Sequence, residues 1–347
     1  MVSSNAKYVS GVNFLCSDWW LVAGVALLAV DFLAAALLPK SNTLSAISDL
    51  TQSALMFGCY LSTLPNQVTG RGRENAFWSL LSVGFSLWLL MQVLWTLYEV
   101  VLHKEVPNLF WGDAILFLHA VPMMIAFTLL PHLRSGACKL ARDVVDSALL
   151  VVCFSYFYAS YVLAWQYVVP NEAAYNANFN VVYGAANCCV LLLAGICWLR
   201  SEGPWGVLYA HFFGASLLYS GSSYLASSAM DAGNYYSGSF YDVPLAVALA
   251  WYAAIGFLAV RSRQARTTTM YAGSRDVWGK SLALLCSCAV GAAGGLQLFL
   301  GTAPEAISVF RLWLTLAACV TVAFLLTARM MLPRETAPRA ETALARP

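Results

Sequence analysis

Ten times along the chain an apolar block of roughly 20 residues is closed by a short polar break, and this recurrence limits the fold more than any other feature. At 1.5 Å rise per residue such a block matches the ~30 Å hydrocarbon core of a bilayer. The approximate limits are Trp19 to Leu38, Leu44 to Leu64, Phe77 to Val101, Leu109 to Leu130, Val144 to Trp165, Asn180 to Leu199, Trp205 to Ala229, Tyr241 to Val260, Val277 to Leu300 and Ile307 to Met331. Long continuous runs exclude a membrane β-barrel, whose strands are short and alternate. The expected fold class is therefore all-α, a polytopic transmembrane helix bundle of about ten spans. The second block is the most dilute, because Ser45, Ser48, Asp49, Thr51, Gln52 and Ser53 interrupt it. Composition agrees, with 10% charged residues where a soluble domain carries roughly a quarter. A net charge of +2 with scattered basic residues gives no reason to expect a nucleic-acid partner.

Orientation follows from the placement of Lys and Arg between spans. With the N-terminus inside, 16 of the 19 basic residues fall on the inner side, and only Lys40, Lys104 and Arg311 on the outer. Both termini are then cytoplasmic: residues 1–18 form an N-terminal segment, 19–332 the membrane domain and 333–347 a polar tail. The first residues lack a basic region followed by a short apolar core and a small-residue cleavage site, so no cleaved signal peptide is expected. Eight of the ten cysteines lie inside spans and Cys16 and Cys138 face the cytoplasm, which favours packing thiols over bridges or metal.

The stretch from Trp78 to Pro122 is the most informative about function. Phe85, Trp88, Gln92, Trp95 and Glu99 recur at three- and four-residue steps on the third span and so share one helix face. Gln92 and Glu99 would be costly against lipid, so this face turns inward. It ends on the outer side at Tyr98 and Glu99, and after a loop with Pro107 the fourth span opens at Trp111 and Asp113. Two readings stay open here. The aromatics and Asp113 serve as interface anchors and a helix cap, or they build an outer pocket of buried carboxylates with aromatic walls.

A similar arrangement recurs four spans later. Ser216, Ser220, Ser223 and Ser227 form a narrow stripe on the seventh span, a loop with Tyr235, Tyr236 and Gly238 follows, and Tyr241 and Asp242 open the eighth. This suggests a tandem repeat of a helix pair in one orientation. The serines also suit close helix packing with hydroxyls bonded to their own backbone. The candidate ligand-binding set is Trp88, Gln92, Trp95, Tyr98, Glu99, Asp113, Ser223, Ser227, Tyr241 and Asp242, with Glu99, Asp113 and Asp242 expected to approach one another.

Other intramembrane polar residues are Asp31, Asp49, Gln52, Asp146, Gln297 and Arg311, which read as lying at different depths and so count against a pump. Arg311 either couples an outer carboxylate to the tenth span or snorkels to headgroups. Gly291 and Gly295 form a GxxxG packing pair. His119 is mid-span, but His119 and His132 are ~20 Å apart along an axis, so neither haem nor metal is expected. No G-x-S-x-G, HExxH, P-loop or kinase signature occurs, and no enzyme activity is expected.

At Gln92, Trp95, Tyr98, Glu99, Pro107 and Asp113, the pattern Q-x-x-W-x-x-Y-E, a Pro-containing loop, then an aspartate on an aromatic helix resembles a known membrane region. It is similar to the multi-spanning N-terminal sensor region of bacterial proteins that carry a cytoplasmic diguanylate cyclase (GGDEF), phosphodiesterase or histidine-kinase domain. The likeness runs through RDVVDSALLVV to the Tyr235 to Trp251 stretch, about half the chain. No GGDEF, EAL or kinase motif follows the tenth span, so the output module is absent, cut away or supplied by a partner. The resemblance implies a sensory input module of the bacterial inner membrane, relaying a stimulus through its last helix. Its expected partners are the lipid bilayer, an unidentified small-molecule or membrane stimulus, a cytoplasmic output domain or protein, and a second copy of the chain as a homodimer. No cofactor is expected. A small-solute transporter and a structural subunit of a membrane complex are the competing readings.

Overall fold

A computed structural model describes residues 19–104, 106–107, 109–131, 137–262, 285–286, 288–297 and 303–332. The expected cytoplasmic segment 1–18, the tail 333–347, most of the basic loop before the ninth span, His132 and the side chains of Cys138 and Lys139 lie outside the described residues. Every regular element described is helical. In chain order they are α1 (Trp19–Leu37), α2 (Asn42–Thr69), α3 (Arg73–Thr96) continued by a π-helical turn Leu97–Val101, and α4 (Gly112–Leu118) with α5 (Ala120–Leu129). Then come α6 (Ala137–Tyr158) continued by a π-helical stretch Ala159–Val168, α7 (Glu172–Leu199), α8 (Gly203–Asp231), α9 (Asp242–Arg261), α10 (residues 288–297) and α11 (Glu305–Met331).

Seven of these are long and apolar enough to cross a membrane: α1, α3 with its π turn, α4 with α5, Ala141–Val168, α7, α9 and α11. The molecule is thus an all-helical bundle of membrane type. α2 and α8, at 28 and 29 residues, are long enough but more polar. Some of their polar side chains bond to other helices, as Cys59 and Asn66 of α2 and Ser216 of α8 do, while Ser62, Thr63 and Ser222 bond to carbonyls of their own helix.

The chain divides into two compact units, Met1–His132 with Tyr161–Thr269, and Leu133–Ser160 with Met270–Pro347. In the first unit, helices that follow one another in this unit pack on one another. α2 lies on α3, α3 on α4 and α5, α5 on α7, α7 on α8 and α8 on α9, and α9 returns to α2, closing a ring; α1 packs on α2 and α9. The closing seam is built from small and polar residues. The Cys59 thiol donates to the Leu249 carbonyl at 3.1 Å and Asn66 Nδ2 to the Gly256 carbonyl at 2.7 Å. A Cβ on Gly256 would sit 2.1 Å from Ser62 Oγ, so this crossing requires glycine. On its other side α2 meets α3 through Ser53 and Thr96 at 3.2 Å and through Gln67 Nε2, which donates to the Trp78 carbonyl.

The helices of this ring keep a common register. α2 and α7, α3 and α8, and α4 and α9 each begin 130 residues apart, at Asn42 and Glu172, Arg73 and Gly203, and Gly112 and Asp242. α2 and α7 are both 28 residues long. Ser41 and Asn171, also in this register, each cap their helix by accepting from the backbone N–H three residues on. Gly84 and Gly214 are register equivalents too, and each admits a neighbour. Added Cβ atoms would lie 2.8 Å from Met123 Cγ and 2.6 Å from Trp251 Cη2.

The second unit contains α6, α10 and α11. Leu149 of α6 and Val322 of α11 centre its apolar contact. Arg329 Nε and Nη2 donate to the two Asp146 oxygens at 2.6 and 3.3 Å, and Tyr156 meets Thr315 at 3.0 Å. The close approach of α10 falls at Gly294, where a Cβ would be 2.4 Å from Thr315 Cγ2. Gly291 and Gly295, the expected packing pair, face open space. The reason is angular: Gly294 lies on the side of α10 turned toward Thr315 and Tyr156.

Candidate functional site

At the end of the first unit where α2 and α9 begin and α3 finishes, carboxylates from four helices converge. Asp242, the first residue of α9, is 2% exposed. Its Oδ1 accepts the Tyr235 hydroxyl at 2.8 Å, and its Oδ2 accepts the Gly238 N–H at 2.7 Å and the Ser48 hydroxyl at 3.5 Å. Gln52, one turn along α2, donates to Ser48 at 3.3 Å. Asp49 is buried beside Ser48 and lies within electrostatic reach of Glu99 and Asp242. Asp31 of α1 is buried as well, within reach of Ser48 and Asp242. Glu99 is carried by the π turn that ends α3, a local widening of the helix of the kind found at functional positions.

The segment from Ala232 to Tyr241 covers this cluster. Ser45 donates to the Ser237 carbonyl at 3.2 Å. Gly238 adopts a φ of +86°, and a Cβ there would stand 2.6 Å from Leu44 Cγ. Glycine is required on both counts. The Tyr235 phenol, outside the helices, is pushed well above the ordinary tyrosine range, first by burial and then by the negative charge of Asp242. It stays a donor to that carboxylate, and the bond is lost only as pH rises beyond the range where free tyrosine ionises.

Of the three acids expected to meet, Glu99 and Asp242 are in electrostatic reach of each other. Asp113 engages elsewhere: the Tyr175 hydroxyl lies 2.6 Å from Asp113 Oδ2 and 3.1 Å from the Phe110 carbonyl. Trp111, not Asp113, occupies the cap position of α4, and Tyr241 that of α9. Trp95 and Tyr98 are partly buried, with Tyr98 edge-on to Phe110 at 5.5 Å.

Deeper in the ring, Trp88 is a hub. Its indole stacks on His119 at 4.4 Å, meets Tyr219 edge-on at 4.5 Å and lies 6.2 Å from Tyr252. Tyr183 and Tyr219 share a 2.6 Å hydroxyl contact, and Tyr252 and Ser216 one of 2.7 Å. Ser223 lies within reach of Tyr219, and His119 bonds through Nδ1 to the Leu116 carbonyl. Gln92 is buried and Ser227 half-buried. In the second unit Arg311 is 7% exposed and donates from Nε to the Ser160 carbonyl at 3.0 Å.

Sequence reasoning missed Asp31, Ser48 and Asp49 as site members, having read the intramembrane acids as lying at different depths. A signal was present, since Asp31 stands six residues before the end of α1 and Asp49 seven after the start of α2. Across a short helical connection those positions are level. Among the described residues no group of three or more His, Cys, Asp or Glu is placed to hold a metal ion.

The fold and this site define a helical membrane protein with a buried acidic and aromatic interior. The chain matches no protein-family model, no curated protein and no solved structure.

Proposed function

We propose that this chain is a membrane-embedded sensory input module of the bacterial cytoplasmic membrane, with ten spans and both termini in the cytoplasm. The stimulus binds at the outer end of the first unit and is relayed through α11 to a cytoplasmic output domain or partner. The observation that carries this reading is the convergence of Asp31, Asp49, Glu99 and Asp242 from four helices. Intramembrane acids are costly and are retained where they bind or relay. The basic-residue asymmetry of the sequence puts that end outside. A ligand acts on the ring through different affinity for two of its packings.

Fusing a cyclase or kinase output domain after Pro347 tests the reading. Output should respond to an external stimulus and lose that response in Glu99→Gln and Asp242→Asn. The 130-residue register of the two helix triplets favours a second reading, a small-solute transporter built on a tandem repeat. Concentrative uptake by the purified chain in proteoliposomes would establish that reading and displace the first.

A further inference from the structure

We propose that Asp31, Asp49, Glu99 and Asp242 form a proton-binding site, so that the ligand taken up at this end of the first unit is the hydrogen ion. The inference rests on the sensory reading, shares Asp31, Asp49, Glu99 and Asp242 with it, and names its stimulus.

Two buried oxygens point to a ligand. Among the described residues Asp31 Oδ2 and Asp49 Oδ2 meet no hydrogen-bond partner, and their residues are 3% and 2% exposed. A charged oxygen withdrawn from water and given no donor is strongly disfavoured. Something must neutralise it. A coordinated metal ion does not suit the arrangement, because among the described residues no three His, Cys, Asp or Glu are placed to hold one. A proton needs no such cage.

The donors present are distributed unevenly. Asp242 takes the Tyr235 hydroxyl, the Gly238 N–H and the Ser48 hydroxyl, so it is the member built to carry charge. Asp31 and Asp49 have an unmet oxygen each and are built to carry the proton. Mutual repulsion acts in the same direction. Asp49 faces Glu99 and Asp242, and Asp242 faces Asp31 and Glu99, so full ionisation of the set is opposed and its protons are held in common.

The surrounding groups can be named element by element. α1 supplies Asp31 and the connection after it Lys40, whose ammonium lies 5.3 Å over the Tyr236 ring. α2 supplies Asp49, α3 Glu99, and the exposed His103 and Lys104 follow it. α9 supplies Asp242, the covering segment Tyr235, and α8 ends at the exposed Asp231. In the binding step one carboxylate oxygen takes one proton from hydronium, which leaves as water, and the negative charge of the site falls by one. Because Asp242 also pins the covering segment through Tyr235 and Gly238, occupancy of the site sets how firmly that segment is held.

Infrared difference spectroscopy of the full chain in lipid nanodiscs, stepped through the pH range in which it stays folded, tests this. The wild type should show the carbonyl band of a protonated carboxylic acid persisting above the pH at which exposed carboxylates ionise. Asp31→Asn and Asp49→Asn should each lose a component of the band, while Glu305→Gln, at an exposed position in the other unit, should keep it whole. If an asparagine variant fails to fold, Asp49→Glu should move the band in frequency. Absence of the band in the wild type, or a band indifferent to the changes at Asp31 and Asp49, overturns the proposal. So does a band that sodium, but not choline, removes, since a metal cation would then occupy the site. A band present alongside a fused output indifferent to pH would sink the sensory reading and leave the site standing. No band, with an output still responsive to another stimulus, would do the reverse.

Discussion

Asp146 and Arg329 are each 13% exposed at the side chain and meet through two hydrogen bonds, so removing either leaves a partly buried charge without its counter-ion. Arg329→Gln should lower stability by about 1–3 kcal/mol in thermal unfolding of the purified chain. Exchanging the two residues should recover much of that loss. The Tyr183 and Tyr219 hydroxyls, 2.6 Å apart and buried, allow a second measurement. Tyr219→Phe takes one of its two side-chain partners from the Tyr183 hydroxyl, leaving Asn187, and should cost about 1 kcal/mol, whereas adding Tyr183→Phe should cost less than the sum of the two single changes. Residue identity at such points was partly legible. Trp88, Gln92, Glu99 and Asp242 were marked by aromatic and polar spacing on apolar helices. Partners such as Tyr175 for Asp113 were not, because a contact between distant positions leaves no local pattern.

Helices could be read from the sequence because a bilayer demands long apolar runs, and each of the ten expected blocks holds a helix among the described residues. What they face could not. α2 read as the most dilute span, and its Ser48, Cys59, Ser62 and Asn66 prove to be the residues that seat it against α9. Polarity there reports helix contact. Gly256→Ala should therefore push α2 from α9 and cost about 1–3 kcal/mol, read as a lowered unfolding temperature. The register of the two triplets predicts matched behaviour at their caps. Ser41→Ala and Asn171→Ala should each cost about 1 kcal/mol, since each removes one acceptor from the first turn of an equivalent helix. A large effect at one and none at the other would break the equivalence.

At the scale of the molecule, the ring of helices is of membrane type, and the proposed function sets its acidic end outward. Hydropathy indicated a membrane-type bundle and the basic-residue asymmetry is the ground of the proposed orientation, whereas the closure of α9 on α2 depended on tertiary packing that no single-chain pattern encodes. Both are tested together where the covering segment meets α2, at the 3.2 Å contact of Ser45 with the Ser237 carbonyl. A cysteine-free background carrying Ser45→Cys and Ser237→Cys should form an intramolecular disulfide on oxidation. A membrane-impermeant maleimide applied to intact cells beforehand should prevent it. Failure of the pair to cross-link in folded protein would contradict the ring, and blockage only in inverted vesicles would contradict the outward-facing site.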